Sequence, residues 1–229
     1  MMQPDINKRT LLDLLADAER TGQQIPNIDE LCSVLGVSRS SLREQLEVAR
    51  QLGFVTIKPR TGIKKNKFSI KPALMLSLNY GIKFQPELFD HYADLRKHLE
   101  SVYWFEAVSI LEKPDLKRLQ QYIDRANARI NSRPMQVPVL EHRQFHLAIY
   151  SRLQNPVVKS LLESYWDLYE NSDLKYFMDQ AYLISVWNYH QQMLDAVAAR
   201  EFEVGHQALL THMDLVKEVK KAELKQRFE

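Results

Sequence analysis

The chain has 229 residues, 45% apolar and 26% charged, and its 31 basic and 29 acidic side chains leave a formal charge of +2. That composition suits one large globular domain or two modest ones and excludes collagenous, disordered and disulfide-scaffold proteins. One cysteine, Cys32, cannot form an internal bridge, no apolar run nears the ~18 residues of a membrane helix, and MMQPDINKRT lacks a signal-peptide core, so a reducing cytoplasm is the expected location.

Along the chain, Leu11, Leu15 and Ala18 make a helical stripe that stops near Gly22. Asn27 is a natural N-cap for a second helix, with Ile28, Leu31, Cys32 and Leu35 at i, i+3, i+4 and i+7, and Gly36 ends it. A third helix starts at Ser38, turns Leu42, Leu46, Ala49 and Leu52 inward, and shows Arg39, Ser40, Ser41, Arg43, Glu47 and Arg50 outward. Two helices joined by a short glycine turn, the second offering Arg and Ser at its start, have helix-turn-helix organisation, and that start also offers free amides to a phosphate. After Gly53 the period changes to two, FVTIK then PRTG then IKKNKFSI, which predicts a basic β-hairpin, a wing whose cations (Lys64 and Lys65 among them) meet phosphates. From Arg39 to Lys71 nine basic residues face two acidic ones, so this segment carries +7 and the remainder −5.

LGVSRSSLREQLEVARQLGFV (35–55), followed by Arg60-Thr61-Gly62, resembles the winged-helix domain of the GntR family of bacterial transcription regulators. Carried over position by position, the resemblance implies DNA contacts by Arg39, Ser40, Ser41 and Arg43, with Thr61 and Gly62 at the wing tip. One departure stands out: where the family usually has Glu-Arg, the arginine touching DNA, this chain has Ile28 and Asp29.

Later glycines are rare, and prolines at 72, 86, 114, 134, 138 and 156 separate apolar-periodic runs. The expected division is a DNA-binding domain at about 1–71, a linker at about 72–85 and a helical domain at about 86–229. Six helices are expected in the last, at about 86–111, 114–131, 137–152, 155–177, 179–199 and 201–226. The first of these carries a stripe of Tyr92, Leu95, Leu99 and Val102. The fold class is therefore mainly α, a winged helix-turn-helix followed by an all-α bundle large enough to enclose a pocket.

His142 and His146, at i and i+4, project from one helix face, as two ligands of one ion would. His190 sits among Val186, Met193 and Leu194, and His212 beside Ala208 and Leu209. Four imidazoles on apolar faces of three helices each need a partner once desolvated. His206 competes for the same role on the last helix, while His91 and His98 read as surface residues.

EHRQFHLAIYSRLQNPVV (141–158) and WNYHQQMLDAVAAREFEVGHQALLTHMDLV (187–216) resemble the FCD ligand-binding domain of the FadR-like branch of the same family. The resemblance implies a divalent metal on His142, His146, His190 and His212, with His142 standing where the family usually has aspartate. An all-nitrogen set suits zinc or nickel better than manganese or magnesium. LFDHYADLRKHLESVY (88–103) is similar to the domain's opening helix, which implies that Arg96 holds an effector carboxylate through its bidentate guanidinium; an i,i+4 surface pair with Glu100 is the alternative.

The implied function is a homodimeric regulator that binds an inverted-repeat operator in double-stranded DNA and responds to a small organic acid at the metal. A metal-free effector site is the main alternative. A metal-dependent hydrolase is disfavoured because H-R-Q-F-H has Arg143 where H-E-x-x-H has its general base, and no phosphate loop or nucleophile elbow is present, so no enzyme is expected.

Overall fold

The computed structural model describes residues 9–58, 62–171 and 178–228, with side chains described up to residue 215. The chain divides into two compact units, one ending at Tyr80 and the other beginning at Gly81.

In the first unit, α1 (Leu11–Thr21) begins at Thr10, whose side chain and that of Asp13 cap each other's backbone amides, and it stops at Gly22 in the left-handed conformation. Asn27 and Glu30 form the same reciprocal cap on α2 (Ile28–Leu35), which ends at left-handed Gly36. Ser38 caps α3 (Arg39–Gln51) by accepting from the Ser41 amide. Leu31 and Leu42 are wholly buried where α2 meets α3, and Leu11, Leu15, Leu35, Leu46 and Val55 complete the core. Burial of each leucine contributes about 1.5–3 kcal/mol. The antiparallel strands β1 (Val55–Lys58) and β2 (Gly62–Lys65) follow, paired Val55 to Lys65 and Lys58 to Gly62. Their base is closed by Asn66, whose amide donates to the Gly53 carbonyl at 2.9 Å. Gly53 itself has φ +82°, and a Cβ there would lie 2.5 Å from Pro72 Cγ, so both the turn and the close approach require glycine.

The stretch expected as a linker at 72–85 is instead largely the helix α4 (Lys71–Ile82). Pro72 stands in its first turn, where a missing N–H costs nothing, and Ala, Leu and Met favour the helix. Its apolar residues surround the axis rather than forming a stripe, so periodicity did not reveal it.

The second unit holds α5 (Leu88–Val102), α6 (Trp104–Ser109), α7 (Lys113–Ile130), α8 (Val139–Ile149), α9 (Pro156–Glu170), α10 (Gln180–Ala199) and α11 (Phe202–Phe228). Among the described residues seven helices thus stand where six were expected, because the first breaks at Tyr103. Trp104 is fully buried just beyond the break and donates from its indole to the Phe202 carbonyl at 2.9 Å. Gly205 makes room for that ring, since a Cβ there would meet Trp104 Cζ2 at 2.8 Å. Helix α10 packs on α11 and α7, α8 on α7 and α9, and α5 on α9 and α11. The expected extension of the fourth helix to 177 falls partly on residues 172–177, outside the described residues.

Of the expected apolar stripe on α5, Tyr92 is buried and Leu99 half-buried, but the inward row runs on from Tyr92 through Arg96 and Glu100. Leu95 and Val102 are exposed, at 43% and 76%. A four-residue spacing with charged members carries no apolar signal, which is why the row beyond Tyr92 was assigned to the wrong face.

Candidate metal centre and DNA-facing helix

Helix α8 places His142 and His146 one turn apart on its buried face, α10 brings His190 and α11 brings His212. One ligand atom from each of the four lies within 4.8 Å of the others. His146, His190 and His212 are fully buried and His142 is 8% exposed. The Nε2 atoms of His142 and His212 are 3.2 Å apart, those of His146 and His212 3.1 Å, and those of His190 and His146 3.2 Å.

Two of these rings have their tautomers set from behind. The His190 Nδ1–H donates to the Val186 carbonyl at 2.8 Å, and a carbonyl can only accept. The His146 Nδ1–H donates to Glu100 Oε2 at 2.8 Å. Each then turns an unprotonated Nε2 toward the other, so two lone pairs face each other across 3.2 Å. Burial holds the His142, His190 and His212 pKa values well below the usual imidazole range, and the neighbouring imidazoles lower them further. Burial also lowers that of His146, although the Glu100 carboxylate opposes it. Protons are therefore a poor remedy for the facing lone pairs at neutral pH, whereas a cation between them satisfies both. Two nitrogens each about 2.0–2.1 Å from one ion subtend roughly 100° when so spaced, between octahedral and tetrahedral angles, so the donor set fits a metal.

Behind the imidazoles, Arg96 Nε donates to Glu100 Oε1 at 2.6 Å, and the guanidinium carbon lies 4.7 Å from the Tyr165 ring centre and 4.6 Å from that of Trp166. Burial disfavours the Glu100 carboxylate, but Arg96 and His146 bring its pKa down to about 2. Burial likewise opposes the Arg96 charge, and Glu100 and Tyr165 more than restore it. The expected alternative for Arg96, a surface pair with Glu100, is corrected in its setting: the pair forms, in the interior. Beside His142 lies a cavity of about 10 Å³ bordered by Val137, Tyr169, Met178, Tyr182 and Trp187, room for about one water. His206 lies apart from the tetrad, its Nε2 2.8 Å from Ser101 Oγ. His91 and His98 are exposed, as expected.

In the first unit, Arg39, Ser40 and Arg43 stand exposed on the outer face of α3, and Ser41 is half-buried. Arg39 pairs with Asp29 of α2, while Arg43 makes no ion pair among the described residues. Gly62 opens β2 with φ +74°, and Thr61 lies outside the described residues. Strand alternation separates the two lysines of β2. Lys64 is exposed, but Lys65 shares the inward face with Ile63 and donates from Nζ to the Ala18 carbonyl at 2.7 Å. Lys65 is therefore turned onto the C-terminal end of α1, where carbonyls attract a cation, and not toward a phosphate.

The family description of the FCD domain matches residues 91–215. The chain belongs to the FCD-domain family. Its relatives are named as transcriptional regulators. It is 27% identical over 93% of its length to the HTH-type transcriptional regulator YcbG of Bacillus subtilis (strain 168), covering 91% of that protein. It is 28% identical over 86% of its length to the Glc operon transcriptional activator of Escherichia coli (strain K12), covering 80% of it. The fold matches a Streptococcus agalactiae GntR structure with a TM-score of 0.62 at 18% identity, over 90% of this chain and 95% of that one. The chain is a GntR-family transcriptional regulator with an FCD domain, and such regulators are not enzymes. Among the described residues no helix is long and apolar enough to cross a membrane.

In this FCD domain the four histidines singled out by sequence converge, and His206 does not join them. Sequence reasoning missed the inward carboxylate of Glu100 and the rings of Tyr165 and Trp166 that flank Arg96. The available signal was Tyr92, Arg96 and Glu100 at four-residue intervals, one row of one helix.

Proposed function

We propose that this regulator senses a small carboxylate through a divalent metal, zinc or nickel, held by His142, His146, His190 and His212. The first unit acts as a winged helix: α3 enters the major groove with Arg39, Ser40, Ser41 and Arg43, and Lys64 and Gly62 approach the backbone from the hairpin, with Thr61 as the further contact that the family resemblance implies. A homodimer would present two such helices to an inverted-repeat operator. What carries the metal half of this reading is the pair of facing lone pairs on His146 and His190, each fixed by a partner behind it. Once bound, the ion supplies a Lewis-acidic position to which a carboxylate oxygen can be added. Arg96 borders the same centre, and gripping an effector with its Nε edge would require it to release Glu100. The effector shifts operator affinity only by as much as it prefers one state of the regulator over the other.

Elemental mass spectrometry of untagged protein and of His146→Ala tests the metal directly. The expected result is about one equivalent of zinc or nickel per chain, lost in the variant, with operator affinity responding to small carboxylic acids only when metal is bound. Protein that takes up no metal after incubation with zinc and desalting, yet still binds DNA, overturns the sensing half and leaves the DNA-binding half standing.

A further inference from the structure

We propose that Glu100 is the positioning residue of this centre, orienting and polarising His146, and that Arg96 serves Glu100 rather than the ligand. This rests on the metal reading above and adds to it a role for two residues that are not ligands.

The geometry leaves the carboxylate little other work. Glu100 is wholly buried on α5, and both its oxygens are engaged: Oε1 accepts from Arg96 Nε at 2.6 Å, and Oε2 accepts from His146 Nδ1 at 2.8 Å and, at a longer 3.4 Å, from Arg96 Nη2. Its backbone carbonyl accepts from the Tyr150 hydroxyl at 2.7 Å, which anchors that turn of α5. A carboxylate behind an imidazole fixes the ring's tautomer and strengthens the donor nitrogen on its far side. Among the described residues no other ring in the tetrad has a carboxylate behind it. His190 rests on a neutral carbonyl, and His212 Nδ1 has no hydrogen-bond partner among the described residues. An all-imidazole ligand set carries no negative charge, so the nearest anion lies one shell back, on Glu100.

Arg96 is held between the Tyr165 and Trp166 rings with its Nε edge on Glu100. Moving it to an incoming anion would strip a buried carboxylate of its cation, a costly exchange. Since Arg96 and Glu100 cancel in charge, the +2 of a bound ion stays uncompensated by the protein. The ligand that completes the centre is accordingly a small anion held by the metal itself.

The test titrates zinc alone, against a chromophoric chelator, into the full chain and into the double variant Arg96→Met/Glu100→Gln, which removes both charges together. The helical circular dichroism and DNA affinity of the variant report its folding. The expected result is a folded variant that still takes up zinc, 10- to 100-fold more weakly. In parallel, imidazole nitrogen NMR of metal-free wild type is expected to show His146 as the Nδ1–H tautomer, and the variant a mixture. A folded variant with wild-type zinc affinity overturns the proposal, and so does a wild-type His146 protonated on Nε2, whatever the variant does. If the zinc-saturated variant loses affinity for acetate while its His146 tautomer is unchanged, Arg96 is the anion clamp and the proposal fails. Wild type that takes up no zinc sinks the metal reading with it; zinc uptake equal in both proteins sinks this inference alone.

Discussion

The carbonyl of Val186 receives the Nδ1 proton of His190 at 2.8 Å, one turn earlier on the same helix. That bond leaves the other ring nitrogen bare and aimed at His146 Nε2 on a neighbouring helix, 3.2 Å away. Adding zinc to chelator-stripped protein should therefore raise its melting temperature, since a ligand at 100 times its Kd stabilises by about 2.7 kcal/mol. His190→Ala should abolish most of the rise. Differential scanning calorimetry would refute the site if the variant and the wild type gained equally.

Metal-free protein should weaken on mild acidification. In the folded chain the four imidazoles stay unprotonated because burial lowers their pKa values, whereas the unfolded chain takes up protons on them near pH 6.5. The unfolded state thus binds more protons, and stability falls as pH drops below about 6.5, by up to about 1.4 kcal/mol per pH unit for each histidine. Glu100, held near 2, does not titrate in this window. Urea unfolding at pH 7.5 and 5.5 reads the difference, and equal stability at both would contradict the burial of these groups.

The two lysines of β2 should separate cleanly. Lys64→Ala is expected to flatten the salt dependence of binding to random DNA by about 0.9 slope units, the share of one phosphate contact. Lys65→Ala should leave the slope nearly unchanged and cost about 0.5–1.5 kcal/mol of stability, through the lost bond to Ala18. Fluorescence anisotropy across a salt series, with a thermal melt of each variant, checks both; a slope change confined to Lys65 would reverse the assignment.

Asp29 holds Arg39 in an exposed ion pair, both side chains about two-thirds accessible. Such a pair adds at most about 1 kcal/mol to folding. It does engage a cation at the start of α3 and leaves an acid there. Asp29→Ala is expected to change stability by less than about 0.5 kcal/mol and to tighten DNA binding several-fold with a steeper salt dependence. Unchanged affinity would show that Arg39 is not held back by Asp29.

Most of the fold's punctuation could be read in the sequence, because Asn27, Ser38, Gly22 and Gly36 act through local backbone chemistry. His142, His146 and His190 were visible because i,i+4 spacing on one helix is geometry and His190 lay on an apolar face, whereas His206 and His212 both lay among apolar neighbours and only the family resemblance preferred His212. Three features were hidden for physical reasons. The inward row of α5 is polar, so an apolar count selects the wrong face. Helix α4 is apolar all round and has no period to detect. Which way Lys65 turns depends on strand alternation against α1, a tertiary fact.

Helix α11 carries His212 near its middle and runs on to Phe228. Those sixteen further residues extend about 24 Å at 1.5 Å per residue. A helix is stiff over such a length, so it works as a pointer whose pivot is His212, one of the four proposed ligands. With an ion bound as proposed, a tilt of about 10° at His212 would carry the far end through roughly 4 Å.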